Sequence, residues 1–416
     1  MSLTIVDMTG DRYWPDVAAE IRTNLIDPFF DVDWKIHDIS IYARDKTNDG
    51  ALQDAIADLK EHKAAVKGPT VTPTVKQTED YGLSQQLGSP NGIIRSAIQG
   101  AVIMRSPIEA NNLPQFSEKI HNVTTARQAV GGRYGAPNFD IPEGGKLRIT
   151  LETEDGNVEL MAEKTVEPGV AMMLTESNDA IRDFVHETLE QGLLLDKSVV
   201  FASKNTINPV YDGRFIETFN DVFEQEYADR YAEQGLNVKF DELIDAAVSK
   251  IPQGKMNDWI VAFKNYDGDV GSDQLAGETL SLGMMDSTLT SADGTLLADP
   301  PHGTADDLEA KWVEEGIMLA NPTAYIYAYA EAIRHKADLE GMDNVVDMAI
   351  ALKASVVETI ESGKMTGDIS RGANVTAISG QEFIAEVAKT FETKLNANMK
   401  FGQNGELGHG GQEASL

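Results

Sequence analysis

Residues 259–273 read WIVAFKNYDGDVGSD, an apolar run that ends where a cluster of aspartates begins. The run Trp259–Phe263 is apolar throughout and bounded by polar residues, as in a parallel strand covered on both faces. Asp269 and Asp273 are four residues apart, so a helix starting here sets both on one face. A buried strand that feeds a helix is the repeating unit of an α/β chain.

The same rhythm extends in both directions. Residues 3–8 and 36–42 read as strands flanking a helix near 17–25, and 49–61 reads as a further helix. Residues 198–202 form another compact apolar strand. Spans 321–335 and 343–362 are long helices, the first opened by Asn321-Pro322, a capping residue before a first-turn proline. One segment departs from this pattern. Leu147, Ile149 and Leu151 alternate with polar residues, then come Asp155-Gly156, Val158 and Leu160, which predicts a β-hairpin with a favoured turn dipeptide. A hairpin interrupting an α/β chain is more often a subunit-pairing arm than a catalytic element. The tail 401–416 is Gly-rich without periodicity and is expected to be mobile.

Composition narrows the function. Among 416 residues, 35 Lys and Arg face 67 Asp and Glu, a formal charge of −32 that repels phosphate backbones and anionic lipids. Nucleic acid and membrane surfaces are therefore not expected partners, and the acidity reads as a solvated surface. The absence of cysteine excludes disulfides, thiolate metal sites and a cysteine nucleophile. The start, MSLTIVDMTGDRYW, has Asp7 and no basic region before an apolar stretch, unlike a signal peptide. No run of about 18 apolar residues is present. The expected location is the cytoplasm. Neither G-x-G-x-x-G nor G-x-x-x-x-G-K-[ST] occurs, so a bound dinucleotide would not use the Rossmann fingerprint. Asn122-Val123-Thr124 and Asn374-Val375-Thr376 match a glycosylation pattern that has no meaning without secretion.

Three constellations carry chemistry. In Asp267-Gly268-Asp269-Val270-Gly271-Ser272-Asp273, oxygen donors with no nearby His or Cys suit Mg²⁺ or Mn²⁺. The bland alternative is an acidic helix start favoured by the dipole. A calcium loop fails because Gly271 falls at position five, whereas that loop needs its glycine at six. In the second constellation, Ser89-Pro90-Asn91-Gly92-Ile93-Ile94-Arg95 is followed by Arg105 and Arg127. Guanidinium forks beside small hydroxyl and amide groups suit a substrate with several carboxylates, although spacing alone slightly favours surface ion pairing. In the third, Pro301-His302-Gly303-Thr304 leads through a small-residue loop to a helix start that offers N–H groups to a phosphate.

Taken together these segments resemble the isocitrate dehydrogenases of the β-decarboxylating dehydrogenase family, most closely the homodimeric eukaryotic-type branch, ordinarily NADP-dependent. The matching stretches are KTND at 46–49, KGPTVTP at 67–73, SPNGIIR at 89–95, SKNTI at 203–207 and YDGRF at 211–215. They continue with KNYDGDVGSD at 264–273, SLGMM at 281–285, HGT at 302–304, NP at 321–322 and ETIESGKMTGD at 358–368. The resemblance runs nearly end to end. It implies an α/β isocitrate/isopropylmalate dehydrogenase-like fold, not a Rossmann fold. A large α/β domain would comprise 1–98 and 280–416, and a small α/β domain 99–131 and 178–279. The β-clasp of a homodimer would occupy 132–177.

By the same resemblance, Thr72, Ser89, Asn91, Arg95, Arg105, Arg127 and Thr206 hold isocitrate, while Tyr134 and Lys204 are catalytic. Asp269 and Asp273 ligate the metal together with Asp245 of the other chain. Lys67, Thr70, Thr72, Asn91, His302, Gly303, Thr304, Asp307, Leu308 and Asn321 line the cofactor site. NADP-dependent members carry Arg-His where this chain has Asp307-Leu308, and Gln77 replaces a further arginine. An acidic side chain accepts hydrogen bonds from free ribose hydroxyls and repels a 2′-phosphate, so NAD is the expected cofactor, ahead of NADP. Rival readings are a sister dehydrogenase acting on isopropylmalate, homoisocitrate or tartrate, and a non-catalytic regulatory subunit. Ser89 and Asn91 beside Arg95 argue against an apolar substrate tail. The presence of Lys204, Tyr134 and all three aspartates argues against a lost active site.

Overall fold

The computed structural model describes residues 2–113, 118–279, 282–370 and 375–403. Its strands, in chain order, begin with β1 (Leu3–Thr9), β2 (Val32–Asp38), β3 (Ala64–Lys67), β4 (Gly100–Pro107) and β5 (Thr124–Gln128). Next come β6 (Asn138–Ile141), β7 (Gly145–Glu152), β8 (Val158–Val166), β9 (Gly169–Met172) and β10 (Ser198–Ser203). The last are β11 (Val238–Leu243), β12 (Trp259–Phe263), β13 (Met285–Ser291) and β14 (Leu296–Ala298).

Ten of these form one mixed sheet in the order β11-β10-β12-β5-β4-β13-β14-β3-β1-β2. β12 lies parallel to both β10 and β5, with Phe263 opposite Arg127. As its apolar run predicts, it is a buried strand, and the helix Asn265–Thr279 follows directly. The antiparallel pairings of β4 with β5 and with β13 lie at the centre of the sheet. Helices cover both faces, and their apolar sides complete the core. The helix Thr323–Leu339 is buried along most of its length, with Tyr325 and Tyr329 stacked 5.3 Å apart. On another part of the sheet, Phe201 stacks on Phe215 and Phe219.

Three local expectations need correction. The span 36–42 is not one strand: β2 ends at Asp38, and the helix Ile41–Lys46 begins behind Ser40, whose hydroxyl accepts from the Ala43 N–H. That cap satisfies a free helix-start donor, and a strand would have wasted it. The helix expected near 17–25 runs from Trp14 to Ile21 and then widens into a π turn, Arg22–Ile26. Arg22 is pulled inward there by buried Asp7, which also accepts from the Tyr329 hydroxyl. The expected irregular tail does not start at Phe401, because the helix Gly380–Gln403 extends past it. The rest of that tail and Asn374 lie outside the described residues.

Residues 138–172 form two small antiparallel pairs, β6 with β9 and β7 with β8, apart from the main sheet. The hairpin turns at Gly156, whose φ of 81° is the left-handed conformation that glycine adopts without strain. Ile149, Leu151, Val158 and Leu160 are exposed on the single chain.

Candidate active site

β5 and β12 end side by side, so Arg127 and the start of the Asn265–Thr279 helix meet above the sheet. Gly268 allows this contact: a Cβ there would come within 2.7 Å of the Arg127 Cβ. Arg127 is buried and donates from Nε and Nη2 to Asn265 Oδ1, at 3.0 and 2.9 Å. Its Nη1 pairs with Asp269, which also accepts from the Tyr134 hydroxyl. The guanidinium lies 5.0 Å from the centre of the Tyr134 ring. From β4, Arg105 Nη1 donates to Ser272 Oγ at 2.8 Å and to Asp273 Oδ1 at 2.9 Å.

Arg95 completes a group of three arginines. Burial, then the charges of Arg127 and Arg105, push its pKa down to about 10. Burial lowers that of Arg127 as well. Like charges gathered in a partly desolvated place repel one another, and anions bound among them relieve that cost. In the free chain, Asp269 and Asp273 supply part of the relief. Next to Arg95, Ser89 sits at the start of the helix Pro90–Ala97 without making a capping bond, and Asn91 Oδ1 is buried without a partner. Both groups are therefore available to a ligand.

Lys204 and Asp245 form a separate pair, with Nζ 2.7 Å from Oδ1. Asp245, Asp269 and Asp273 do not converge on one point within this chain. Among the described residues, the group able to close on a cation is Asp58, Glu61 and His62, on the helix Gly50–His62. Thr206 is exposed beyond Lys204. Asp269 and Asp273 nevertheless suit a hard divalent cation, because they offer carboxylate oxygens only, from consecutive turns of one helix.

The remaining expected residues gather at the end of β3. Lys67 is buried, donates to the Gly68 carbonyl at 2.9 Å and lies 3.7 Å from Asp299; desolvation lowers its pKa. Thr70 and Thr72 follow in an irregular segment, with Thr72 exposed. His302 lies against Trp14, ring centres 4.7 Å apart, and burial lowers its pKa. Its Nδ1 is bonded to the Gly303 carbonyl at 3.0 Å, which makes Nε2 the bare acceptor of the neutral ring. That nitrogen is buried and unpartnered. The Thr304 carbonyl accepts from Trp14 Nε1 at 2.9 Å. Asn321 bonds Asp368 and caps Thr323. Gly303 and Asp307 are exposed, and Leu308 packs against the core. Gln77 is occupied in a capping box with Thr74.

Sequence reasoning missed several supporting groups. Buried Asp212 accepts from the Lys204 N–H and pairs with Lys264 at 2.7 Å, so it fixes the backbone that carries Lys204. Glu176 accepts from Gln128, the Gly132 N–H and Tyr211, and thereby holds the turn that presents Tyr134. Asp212 stands in the quoted YDGRF stretch and was legible there; nothing local marks Glu176.

Comparisons with known proteins place the chain in a family. The family model described as isocitrate/isopropylmalate dehydrogenase matches residues 1–387. The chain is 33% identical over 398 residues to "Isocitrate dehydrogenase [NADP] 1" of Mycobacterium tuberculosis, covering 94% of this chain and 97% of that protein. It is 33% identical over 402 residues to "Isocitrate dehydrogenase [NADP]" of Saccharomyces cerevisiae, covering 94% and 95%. To "Cytosolic isocitrate dehydrogenase [NADP]" of Arabidopsis thaliana it is 34% identical over 402 residues, covering 94% and 97%. The chain belongs to the isocitrate/isopropylmalate dehydrogenase family and has its α/β fold.

These names correct the expectation of NAD, since each relative is named for NADP. Two carboxylates that flank Asp307 are paired, although Asp307 itself forms no ion pair among the described residues. Arg12 lies 3.3 Å from Asp306 and 3.6 Å from Glu309, at the head of the helix that carries Asp307. No helix among the described residues is long and apolar enough to cross a membrane.

Proposed function

We propose that this chain oxidatively decarboxylates isocitrate to 2-oxoglutarate and CO₂, with NADP as hydride acceptor and Mg²⁺ or Mn²⁺ as cofactor, and that it works as a homodimer in the cytoplasm. The observation that carries this reading is the group Arg95, Arg105 and Arg127 beside Asp269, Asp273 and Tyr134. Three arginines match a tricarboxylate, and two carboxylates match a divalent ion. Asp245 would complete the ligand set from the partner chain, which accords with its lying apart from the other two aspartates here.

The chemistry needs a proton removed from the C2 hydroxyl while hydride leaves C2 for the nicotinamide. A bound divalent ion would acidify the hydroxyl and stabilise the enolate charge as a Lewis acid. Lys204, oriented by Asp245, accepts or relays that hydroxyl proton. When substrate carboxylates take up the arginine forks, Asp269 and Asp273 are released for the ion. The arginines then hold the acid in the pose from which CO₂ departs. Tyr134 delivers a proton to the carbon that lost CO₂. Burial and its bond to Asp269 raise its pKa, so it keeps that proton at neutral pH.

Initial rates with isocitrate, isopropylmalate, homoisocitrate and tartrate, each with NADP and with NAD, test the proposal. Faster turnover of any acid other than isocitrate, or a higher kcat/KM with NAD, would overturn the corresponding part.

A further inference from the structure

Arg12 occupies the turn between β1 and the helix Trp14–Ile21, with a φ of 62°. Its guanidinium reaches across to a distant part of the chain. Nη2 donates to the Tyr81 hydroxyl at 3.0 Å and to Asp306 Oδ2 at 3.3 Å, and Nη1 lies 3.6 Å from Glu309. The group sits 5.2 Å from the centre of the Tyr81 ring. Asp306, Asp307 and Glu309 form the first turn of the helix Asp306–Glu315, directly after the His302-Gly303-Thr304 loop. Asp307 makes no ion pair among the described residues, so Arg12 balances two carboxylates of the three.

We propose that Arg12 is a specificity-determining positioning residue: by neutralising Asp306 and Glu309 it limits how strongly this helix head repels a 2′-phosphate. The inference rests on the reading that the adenosine end of the dinucleotide lies at residues 302–308. A phosphate dianion brought there meets one uncompensated carboxylate, Asp307, while Arg12 is in place. Without Arg12 it meets three. The ribose hydroxyls of NAD carry no charge and are far less sensitive to that change, so the effect is selective. The loop and its helix have anchors besides Arg12. Trp14 holds the Thr304 carbonyl, and Trp312 Nε1 donates to Asp16 Oδ2 at 2.7 Å.

The experiment compares full-length wild type, Arg12→Ala, Arg12→Lys and the double variant Asp307→Arg with Leu308→His. The readouts are the ratio of kcat/KM for NADP to that for NAD, and inhibition by adenosine 2′,5′-bisphosphate relative to AMP. Arg12→Ala is expected to lower both preferences for the 2′-phosphate by about fivefold, through KM and inhibition constants rather than kcat. Salt should shrink the effect, and Arg12→Lys should restore most of the ratio. A purely structural role would weaken both nucleotides alike. If Arg12→Ala leaves the ratios unchanged while the double variant moves them, the role of Arg12 is refuted and the loop reading survives. If neither variant moves them, the loop reading fails and this proposal fails with it.

Discussion

Lys204 Nζ donates to Asp245 Oδ1 at 2.7 Å, and the two residues follow neighbouring parallel strands at one sheet edge. Lys204 directly follows β10, and Asp245 lies in the first turn of the helix after β11. Both side chains are partly exposed, yet the Lys204 backbone is tied down by buried Asp212. A rigid main chain thus carries an amino group that reaches the surface.

Lys204→Met is accordingly expected to lower kcat by roughly 10²–10⁴-fold, the usual contribution of a positioned proton-transfer group. Thermal stability should change little, because the side chain is not buried. Steady-state rates and a melting curve on the same preparation check both statements, and near-normal turnover would remove Lys204 from the mechanism.

Asp269→Asn and Asp273→Asn each remove a carboxylate charge that suits Mg²⁺ or Mn²⁺. The expected outcome is a large rise in the Mn²⁺ concentration needed for half-maximal rate, and no activity in excess EDTA. Activity that survives complete chelation would show that these aspartates serve only Arg127 and Arg105.

Asp307→Arg with Leu308→His places a cation where this chain has none. The ratio of kcat/KM for NADP to that for NAD should rise by about tenfold or more, from reversal of one partly exposed charge contact. Measuring both cofactors at low and moderate salt checks it; an unchanged ratio would place the adenosine ribose elsewhere.

Glu187, on the helix Asn178–Leu194, has its pKa pushed up to about 7 by burial, with Glu190 and Asp183 adding repulsion. The folded state therefore holds its proton more tightly than the unfolded chain does. The wild type loses stability as pH rises from the unfolded value, about 4.3, through 7. Glu187→Gln cannot ionise, so it should equal the wild type near pH 4 and exceed it by roughly 3 kcal/mol above pH 7. Denaturant midpoints at pH 4 and pH 8 report this difference, and an advantage that shrinks with rising pH would contradict the sign.

Much of the fold was legible where patterns are local. The strand Trp259–Phe263 and the helix start after it follow from an unbroken apolar run and a carboxylate cluster. The hairpin around Gly156 follows from alternation and its turn dipeptide. Boundaries went astray where a single contact decided them. The Ser40 cap turned the end of an expected strand into a helix, and the Arg22–Asp7 pair accompanies a π turn that periodicity does not contain. At the candidate site, residue type and resemblance singled out Arg127, Asp269 and Asp273. Glu176 was not, because its role comes from meeting Gln128, Gly132 and Tyr211 across the fold.

Sequence alone determined the α/β class, the family and the inventory of charged groups, because apolar period, residue type and motif order are properties of short stretches. Tertiary structure decided which charges cancel. Asp307 and Arg12 are far apart in the chain, and only folding shows that Arg12 offsets Asp306 and Glu309 beside it. Electrostatic selectivity depends on distances in space, and chain separation does not encode them.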